Sequence, residues 1–254
     1  MIMKKRVNKN GSHVGMILSF VIFITFIVFL YTVIKPTIQT GEDKKIMVEE
    51  TENQIIQSLS SNLTVASFSI SSTNKDSCLE MQNFLFDLFN SGINYNYNLI
   101  TKDSSNTRQP SYQDSAYNLV LSRTDTTNSF FKVYLSPKFP SVGASSCSKI
   151  ISEKDYNFGS VDTGQYIYLG QAAQNDGVFG LINSYNTNYE SLKTQLKITP
   201  GNEFWFSFKE SDGNVDQPAA KQIPSTNVYA DELPVQYFDS NANLLSGYLD
   251  VKIW

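Results

Sequence analysis

The chain runs from Val14 to Ile34 without a single charged residue. A helix rises about 1.5 Å per residue, so a segment of this length crosses the ~30 Å hydrocarbon core of a bilayer. The residues that precede the segment include four basic ones, Lys4, Lys5, Arg6 and Lys9. The length of the uncharged segment predicts a single-pass helix in the cell membrane. Because basic residues tend to stay on the cytoplasmic side, the N-terminus is expected in the cytoplasm and everything after the helix outside the cell.

The residues that end the apolar segment indicate whether the segment is cleaved off as a signal or kept as an anchor. A cleaved secretory signal has a shorter apolar region that ends in small residues at the cleavage site. Here residues 31–36 read YTVIKP, which offers no such site. A retained anchor is therefore favoured over a cleaved signal. A third interpretation, the apolar spine of a polymerising subunit, stays open.

The remainder of the chain has the composition of a folded polar domain. The protein has 254 residues, 13% aromatic side chains and a net charge of −4. That aromatic content is enough to build a core, so wholesale disorder is not expected. The basic residues form no cluster after the apolar segment, so nucleic acid is not expected as a partner. The lipid bilayer is the partner that the sequence indicates most directly.

Two cysteines, Cys78 and Cys147, follow the apolar segment. Two thiols allow one pairing, and an oxidising compartment outside the cell would favour a disulfide between them. The bridge would close a loop of about 70 residues, which the chain-entropy model values at ~4 kcal/mol. The alternative is that the two residues are unrelated buried thiols.

Hydrophobic periodicity predicts a mixture of helices and strands. A proline at position 36 predicts a break or kink where the chain leaves the bilayer, followed by a second helix over residues 41–60. Helical spacing predicts two more helices, over residues 78–92 and 175–200. Alternating patterns predict strands at 62–70, 94–101, 116–123, 129–137, 165–171, 203–210, 228–239 and 247–254. Strands interrupted by two or three helices indicate an α+β fold with a mostly antiparallel sheet.

The chain is thus expected to have four parts. Residues 1–11 form a basic cytoplasmic leader, and residues 12–36 form the transmembrane helix. Residues 37–61 form a helical stalk or the first element of the domain, and residues 62–254 form an extracellular α+β head.

Several kinds of chemistry lack the residues they need. The only histidine, His13, lies at the start of the apolar segment, so the head cannot hold a Ser-His-Asp triad or a histidine-containing zinc site. No glycine-rich phosphate-binding motif is present, and no cofactor is expected. Two loops, residues 212–216 and 239–243, carry Asp and Asn at alternate positions as calcium loops do, but the sixth-position glycine is missing and hairpin turns explain both. No metal or catalytic residue is therefore predicted.

Asn62 begins the sequence Asn-Leu-Thr, which is an acceptor for N-glycosylation if it is exposed on the exported side.

The N-terminus resembles that of a known family. A basic leader, Gly11 immediately before Ser12, and then an unbroken aliphatic and Phe-rich helix are similar to the N-terminus of archaeal type IV pilin-like proteins and related single-pass surface proteins of unknown activity. The last part of the chain, from Asn227 to Trp254, is similar to the C-terminal part of the same surface proteins. The resemblance implies cleavage between Gly11 and Ser12 by a membrane peptidase, and self-association through the N-terminal helix.

The expected function is that of a membrane-anchored extracellular protein with a structural or adhesive role and no catalytic activity. The alternative is a membrane-anchored domain that binds carbohydrate or acts on glycans, with carboxylates and tyrosines in a cleft. A concave pocket that holds two carboxylates would favour the alternative.

Overall fold

A computed structural model describes most of the chain. The described residues are 11–71, 75–89, 97–114, 116–141, 150–151, 155–219 and 228–254.

One long helix, α1 (Gly11–Leu59), spans 49 residues. The break predicted at Pro36 is wrong as an interruption of secondary structure, because helix continues through this position to Leu59. The φ angle that a proline imposes is itself helical, but an interior proline removes one backbone hydrogen bond and crowds the preceding turn, so a kink at Pro36 stays a prediction. The anchor and the predicted second helix are therefore parts of one element.

The head, residues 60–254, begins directly after α1. Its strands in the first half are β1 (Ser60–Ile70), β2 (Cys78–Met81), β3 (Asn98–Asp103), β4 (Arg108–Gln109), β5 (Ser111–Gln113), β6 (Leu119–Ser122) and β7 (Phe130–Ser136). Those in the second half are β8 (Ile150–Ile151), β9 (Tyr156–Tyr168), β10 (Phe204–Lys209), β11 (Val215–Asp216), β12 (Tyr229–Phe238) and β13 (Leu244–Ile253). Its helices are α2 (Phe84–Phe89), α3 (Gly177–Thr187), α4 (Tyr189–Gln195) and a short 3-10 helix (Ala172–Gln174).

The strands form two sheets. The larger has nine strands in the order β11-β10-β13-β12-β9-β1-β7-β3-β4, and the smaller has four in the order β5-β6-β2-β8. All neighbours pair antiparallel except β9 with β12 and β2 with β8, which are parallel. The head is thus α+β with a mostly antiparallel sheet, as the sequence predicts.

Two large apolar clusters hold the head together. One joins the C-terminal half of α1 to α3, α4 and the strands β10, β12 and β13, and it is dense in aromatic rings such as Phe204, Phe206 and Tyr185. Tyr185 and Tyr189 both donate from their hydroxyls to the carbonyl of Phe204, at 2.7 and 3.2 Å, so the first residue of β10 satisfies both phenols. The other cluster lies between β1, β3 and β7 of the large sheet and the smaller sheet with α2, around Phe68 and Phe131.

Two predicted helices differ from the structure. The segment predicted as one helix over 78–92 begins as strand β2, which pairs with β6 and β8, and among its described residues, 78–89, only Phe84–Phe89 is helical. The helix predicted over 175–200 is divided into α3 and α4 at Asn188, whose φ of −144° is not helical. The division turns the chain between Tyr185 and Tyr189 while both rings still reach Phe204.

Candidate functional site

The first candidate site is the exposed half of α1. From His13 to Val33 the helix has a mean hydropathy of 2.7, and none of it is buried against the rest of the protein. Within the described ranges it is the one helix long and apolar enough to span a membrane. The hydroxyls of Thr25 and Thr32 donate to the carbonyls of Ile22 and Phe29, at 2.9 and 2.8 Å. These polar groups are therefore satisfied inside the helix, as a hydrocarbon environment requires.

The second half of α1 packs on the large sheet. Val48, Ile55 and Leu59 are almost fully buried in the cluster that includes β10 and β13. Their spacing of seven and four residues places them on one face of the helix. The same face carries Glu52, which stands four residues after Val48 and three before Ile55.

Glu52 is a carboxylic acid in an apolar contact. Its side chain is only 4% exposed, and its Oε1 atom has no hydrogen-bond partner among the described residues. Burial is the main cause that raises the pKa of Glu52 from 4.5 to about 7, and the nearby carboxylates of Asp231, Glu49 and Asp250 contribute to the same rise. At neutral pH this group therefore lies close to the midpoint of its titration, whereas an ordinary glutamate is fully ionised.

A cavity opens where α1 meets the start of β12. It has a volume of about 430 Å³ and is lined by Lys45, Val48, Tyr229, Ala230 and Asp231. Lys44 Nζ lies 5.8 Å from the centre of the Tyr229 ring, and Lys45 Nζ lies 3.9 Å from a carboxylate oxygen of Glu49. Asp231 is the carboxylate among these lining residues. The cavity therefore lacks the second lining carboxylate that glycoside hydrolysis would use, so far as the described side chains define it.

The large sheet is divided near its centre. β9 and β12 share only two pairs, Tyr237 with Ile167 and Phe238 with Tyr168. Beyond these pairs a groove of about 290 Å³ separates the strands, with Ile56 of α1, residues 165–167 of β9 and residues 233–236 of β12 in its walls. Both strands are largely exposed along the groove, since residues 230–232 of β12 and 159–163 of β9 are open to solvent.

Of the residues predicted for processing and for the disulfide, Gly11, Ser12 and Cys78 belong to the described chain and Cys147 does not. Gly11 is the first residue of α1 and Ser12 the second, while residues 1–10 lie outside the described residues. Cys78 is the first residue of β2. Cys147 lies outside the described residues, so the disulfide stays a prediction.

The predicted glycosylation site lies on β1. Asn62 is exposed, and it pairs with Gln165 of β9 in the register of the sheet. Thr64 of the same acceptor sequence is buried, and its hydroxyl lies 3.0 Å from the hydroxyl of Thr163.

The two Asp-rich loops are hairpin turns, as the sequence predicts. In the first, the Asp212 carboxylate accepts a hydrogen bond from the backbone N–H of Asn214 at 2.9 Å. In the second, one oxygen of Asp239 accepts from the N–H groups of Asn241 and Asn243, both at 2.8 Å. These carboxylates stabilise turns through their own backbone. Across the described ranges there is no group of three or more His, Cys, Asp or Glu side chains that could hold a metal ion.

Sequence reasoning missed Glu52 and the divided sheet. A signal for Glu52 was present, because it stands at a core position of the apolar spacing on α1. The division of the sheet had no such signal, because it depends on which strands become neighbours.

Comparison of the chain with protein-family models, with curated proteins and with solved structures finds no match in any of the three.

Proposed function

We propose that this chain is a single-pass membrane-anchored protein of the cell surface, with an extracellular α+β head that has a structural or adhesive role and no catalytic activity. One observation carries the proposal. A single helix is apolar and uncovered over its first half, and its second half forms part of the core of the head. An uncovered apolar surface of this length needs a lipid environment or an equivalent partner.

The proposal includes the orientation of the chain. The basic residues before α1 favour a cytoplasmic N-terminus, and the head then lies outside. The exposed acceptor Asn62 and the predicted Cys78–Cys147 disulfide fit that side of the membrane.

The pilin-like part of the proposal rests on the resemblance at Gly11 and Ser12. Helix extends without interruption from Gly11 into the head, which is the form that a subunit with a shared N-terminal spine would have. In this form of the proposal the leader is removed after Gly11, and the first half of α1 associates with the same helix of other subunits.

Membrane insertion is tested by extraction of cell membranes with alkaline carbonate. The wild-type chain is expected to stay in the membrane pellet and to be released only by detergent. Replacing Phe23 and Ile27 together by Lys places two charges inside the apolar segment, and a large part of the chain should then be released. Ile46→Lys is the matched control, because Ile46 is 61% exposed and lies on α1 beyond the apolar segment. Carbonate extraction of the wild-type chain would contradict the anchor.

Orientation and processing have separate measurements. Protease added to intact cells should remove a tag at the C-terminus and spare one at the N-terminus. Mass spectrometry of the mature N-terminus should begin at Ser12 if the leader is cleaved. An intact leader would leave a simple anchor in place of a processed pilin-like subunit.

A further inference from the structure

The division of the large sheet leaves two strands with one side unpaired. From Asn157 to Tyr166, β9 pairs with β1 on one side, and from Tyr229 to Gln236, β12 pairs with β13 on one side. Their other sides meet only at the two pairs where the strands converge. Over the described part of the chain, each strand therefore presents unpaired N–H and C=O groups to the groove between them.

The two unpaired edges are not equally protected. Proteins commonly block a free edge with charged residues or proline. β12 carries Asp231, Glu232 and Pro234 along its unpaired stretch. β9 has only one charged residue there, Asp162, and no proline, and its register with β1 shifts at residues 159–160, so its regular edge runs from Val161 to Tyr166. Ser160, Val161 and Thr163 of β9 are also exposed, so β9 offers the edge that another strand can reach most easily.

The two strands that border the division carry charge of one sign, and the lysines Lys44 and Lys45 of α1 lie only where β12 begins. β9 and β12 together carry three carboxylates, Asp162, Asp231 and Glu232, and no Lys or Arg. All three side chains are exposed, and none forms an ion pair with a described residue. A partner that lies along this division would therefore be favoured by basic residues.

The groove also has an apolar wall. Ile56, Ile167, Leu233 and Val235 line the 290 Å³ space where the strands begin to separate. An extended segment presents its side chains to alternate faces, so one face can contact this wall while the other carries charge.

We propose that β9 accepts, as an additional strand, an extended segment of a partner protein in which basic and apolar residues alternate. Backbone hydrogen bonds to residues 161–166 give the binding energy, and the carboxylates of Asp162, Asp231 and Glu232 select for basic side chains. The inference rests on the adhesive form of the proposed function, since it names the kind of partner that the head binds. Membrane insertion is measured separately by carbonate extraction, so failure of one proposal is distinguishable from failure of the other.

The test uses the full chain in nanodiscs of zwitterionic phosphatidylcholine, with empty nanodiscs as the baseline. The probe is a fluorescein-labelled peptide of about ten residues that alternates Lys and Val, close to the length of a long strand. Binding is measured by fluorescence anisotropy, and the same peptide with Glu in place of Lys should bind at least about tenfold more weakly.

Backbone methylation separates strand addition from simple charge attraction. Successive N–H groups of an extended peptide point to opposite edges, so methylating the N–H of every Lys blocks one edge and methylating that of every Val blocks the other. Both methylated peptides keep the charge of the parent. At least one is expected to bind about tenfold or more weakly, because it has lost its hydrogen bonds to β9. If both bind like the parent, the proposal is overturned.

A protein variant locates the site. Asp162→Asn is expected to raise the dissociation constant of the Lys-Val peptide about threefold. Glu190→Gln on α4 makes the matched change on an exposed side chain and is expected to leave the dissociation constant unchanged. Equal effects of the two variants would overturn the proposal. So would a failure of the peptide to bind together with a dimeric state of the chain in the nanodisc, because a second copy would then occupy the edge.

Discussion

Glu80 on β2 pairs with Ile150 on β8 in parallel register. Cys78 is the first residue of β2 and precedes Glu80 by two residues, and Cys147 precedes Ile150 by three residues along the chain. A disulfide requires ~4.4–6.8 Å between the two Cα atoms, and each cysteine stands within three residues, along the chain, of one member of this strand pair. We therefore predict a Cys78–Cys147 disulfide. Peptide mapping of the non-reduced protein by mass spectrometry should find the linked pair.

The stability of cysteine variants gives an independent measure of the same bond. Cys78→Ser, Cys147→Ser and the double variant should all lose about the same stability, on the order of 4 kcal/mol, because each removes the same loop constraint. Thermal unfolding in detergent measures the loss, and addition of a reductant should lower the melting temperature of the wild type alone. Two additive losses in the double variant would indicate separate buried thiols.

Glu52 predicts a pH dependence of stability. Its pKa rises from 4.5 to about 7 on folding, so the folded protein holds a proton that the unfolded chain releases. The stability that this group contributes is fully present below about pH 4.5 and is lost as the pH rises towards 7. The loss amounts to at most ~3 kcal/mol. Glu52→Gln has no such proton to lose, so it should be more stable than the wild type at pH 8 and similar to it near pH 4.

Melting temperatures between pH 4 and pH 8 test this prediction. Glu50→Gln is the control, because Glu50 lies on the same helix and is exposed. The control should follow the wild-type curve. If the melting temperature of Glu52→Gln also changes with pH as the wild type does, then ionisation of Glu52 does not lower the stability of the folded protein.

The contact between α1 and the sheet predicts a contrast between two isoleucines. Ile55 is fully buried and Ile46 is 61% exposed, although both lie on the same helix. Ile55→Ala should cost about 2–5 kcal/mol of unfolding free energy, because it removes buried methyl groups and leaves a cavity. Ile46→Ala should stay within about 0.5 kcal/mol. Chemical denaturation of the full chain in detergent measures both, and equal losses would mean that this face of α1 is not the one in contact.

Asn62 predicts a single attached glycan when the chain is exported by a host that glycosylates the Asn-Leu-Thr sequence. Asn62→Gln should remove the added mass without loss of stability, because this side chain is exposed. Thr64→Ser keeps both the acceptor sequence and a hydroxyl near Thr163, so the glycan should remain. Thr64→Ala should remove the glycan and also cost about 1 kcal/mol, because the hydrogen bond with Thr163 is lost. Intact mass spectrometry measures the added mass of the glycan, and a wild-type protein without added mass from such a host would contradict the prediction.

The fold could be predicted where local pattern and tertiary neighbours agree. The alternation in residues 62–70 identifies β1, and the patterns at 203–210 and 247–254 identify β10 and β13. The apolar positions on α1 identify its buried face in part, because Val48, Ile55 and Leu59 are buried and Ile46 of the same pattern is exposed. In each case one face of the element packs against the core, and the spacing of apolar residues along the sequence indicates which side chains lie on that face.

The other parts of the fold depend on contacts between segments that are distant in sequence, and a local sequence pattern carries no information on those contacts. Cys78–Met81 has residues that favour a helix, yet it is a strand because β6 and β8 pair with it on both sides. The break at Asn188 was hidden because apolar residues recur at helical spacing on both sides of it. The first part of β9 is rich in Gly, Ser, Thr and Asp and has no apolar alternation, and it is extended because it pairs with β1. The candidate groove follows from that pairing, so it too was invisible in the sequence.

The continuity of α1 has a mechanical consequence. Its apolar half and its buried half belong to one hydrogen-bonded element, and no change of secondary structure intervenes at Pro36. A force that pulls on the head is therefore carried along the helix axis and acts in shear on the contacts of Val48, Ile55 and Leu59 with the sheet. Rotation of the apolar half about its axis likewise turns the head with it. The strength of this contact sets the load at which α1 separates from the face of the sheet, while the peptide bond from Leu59 to Ser60 keeps the helix joined to β1.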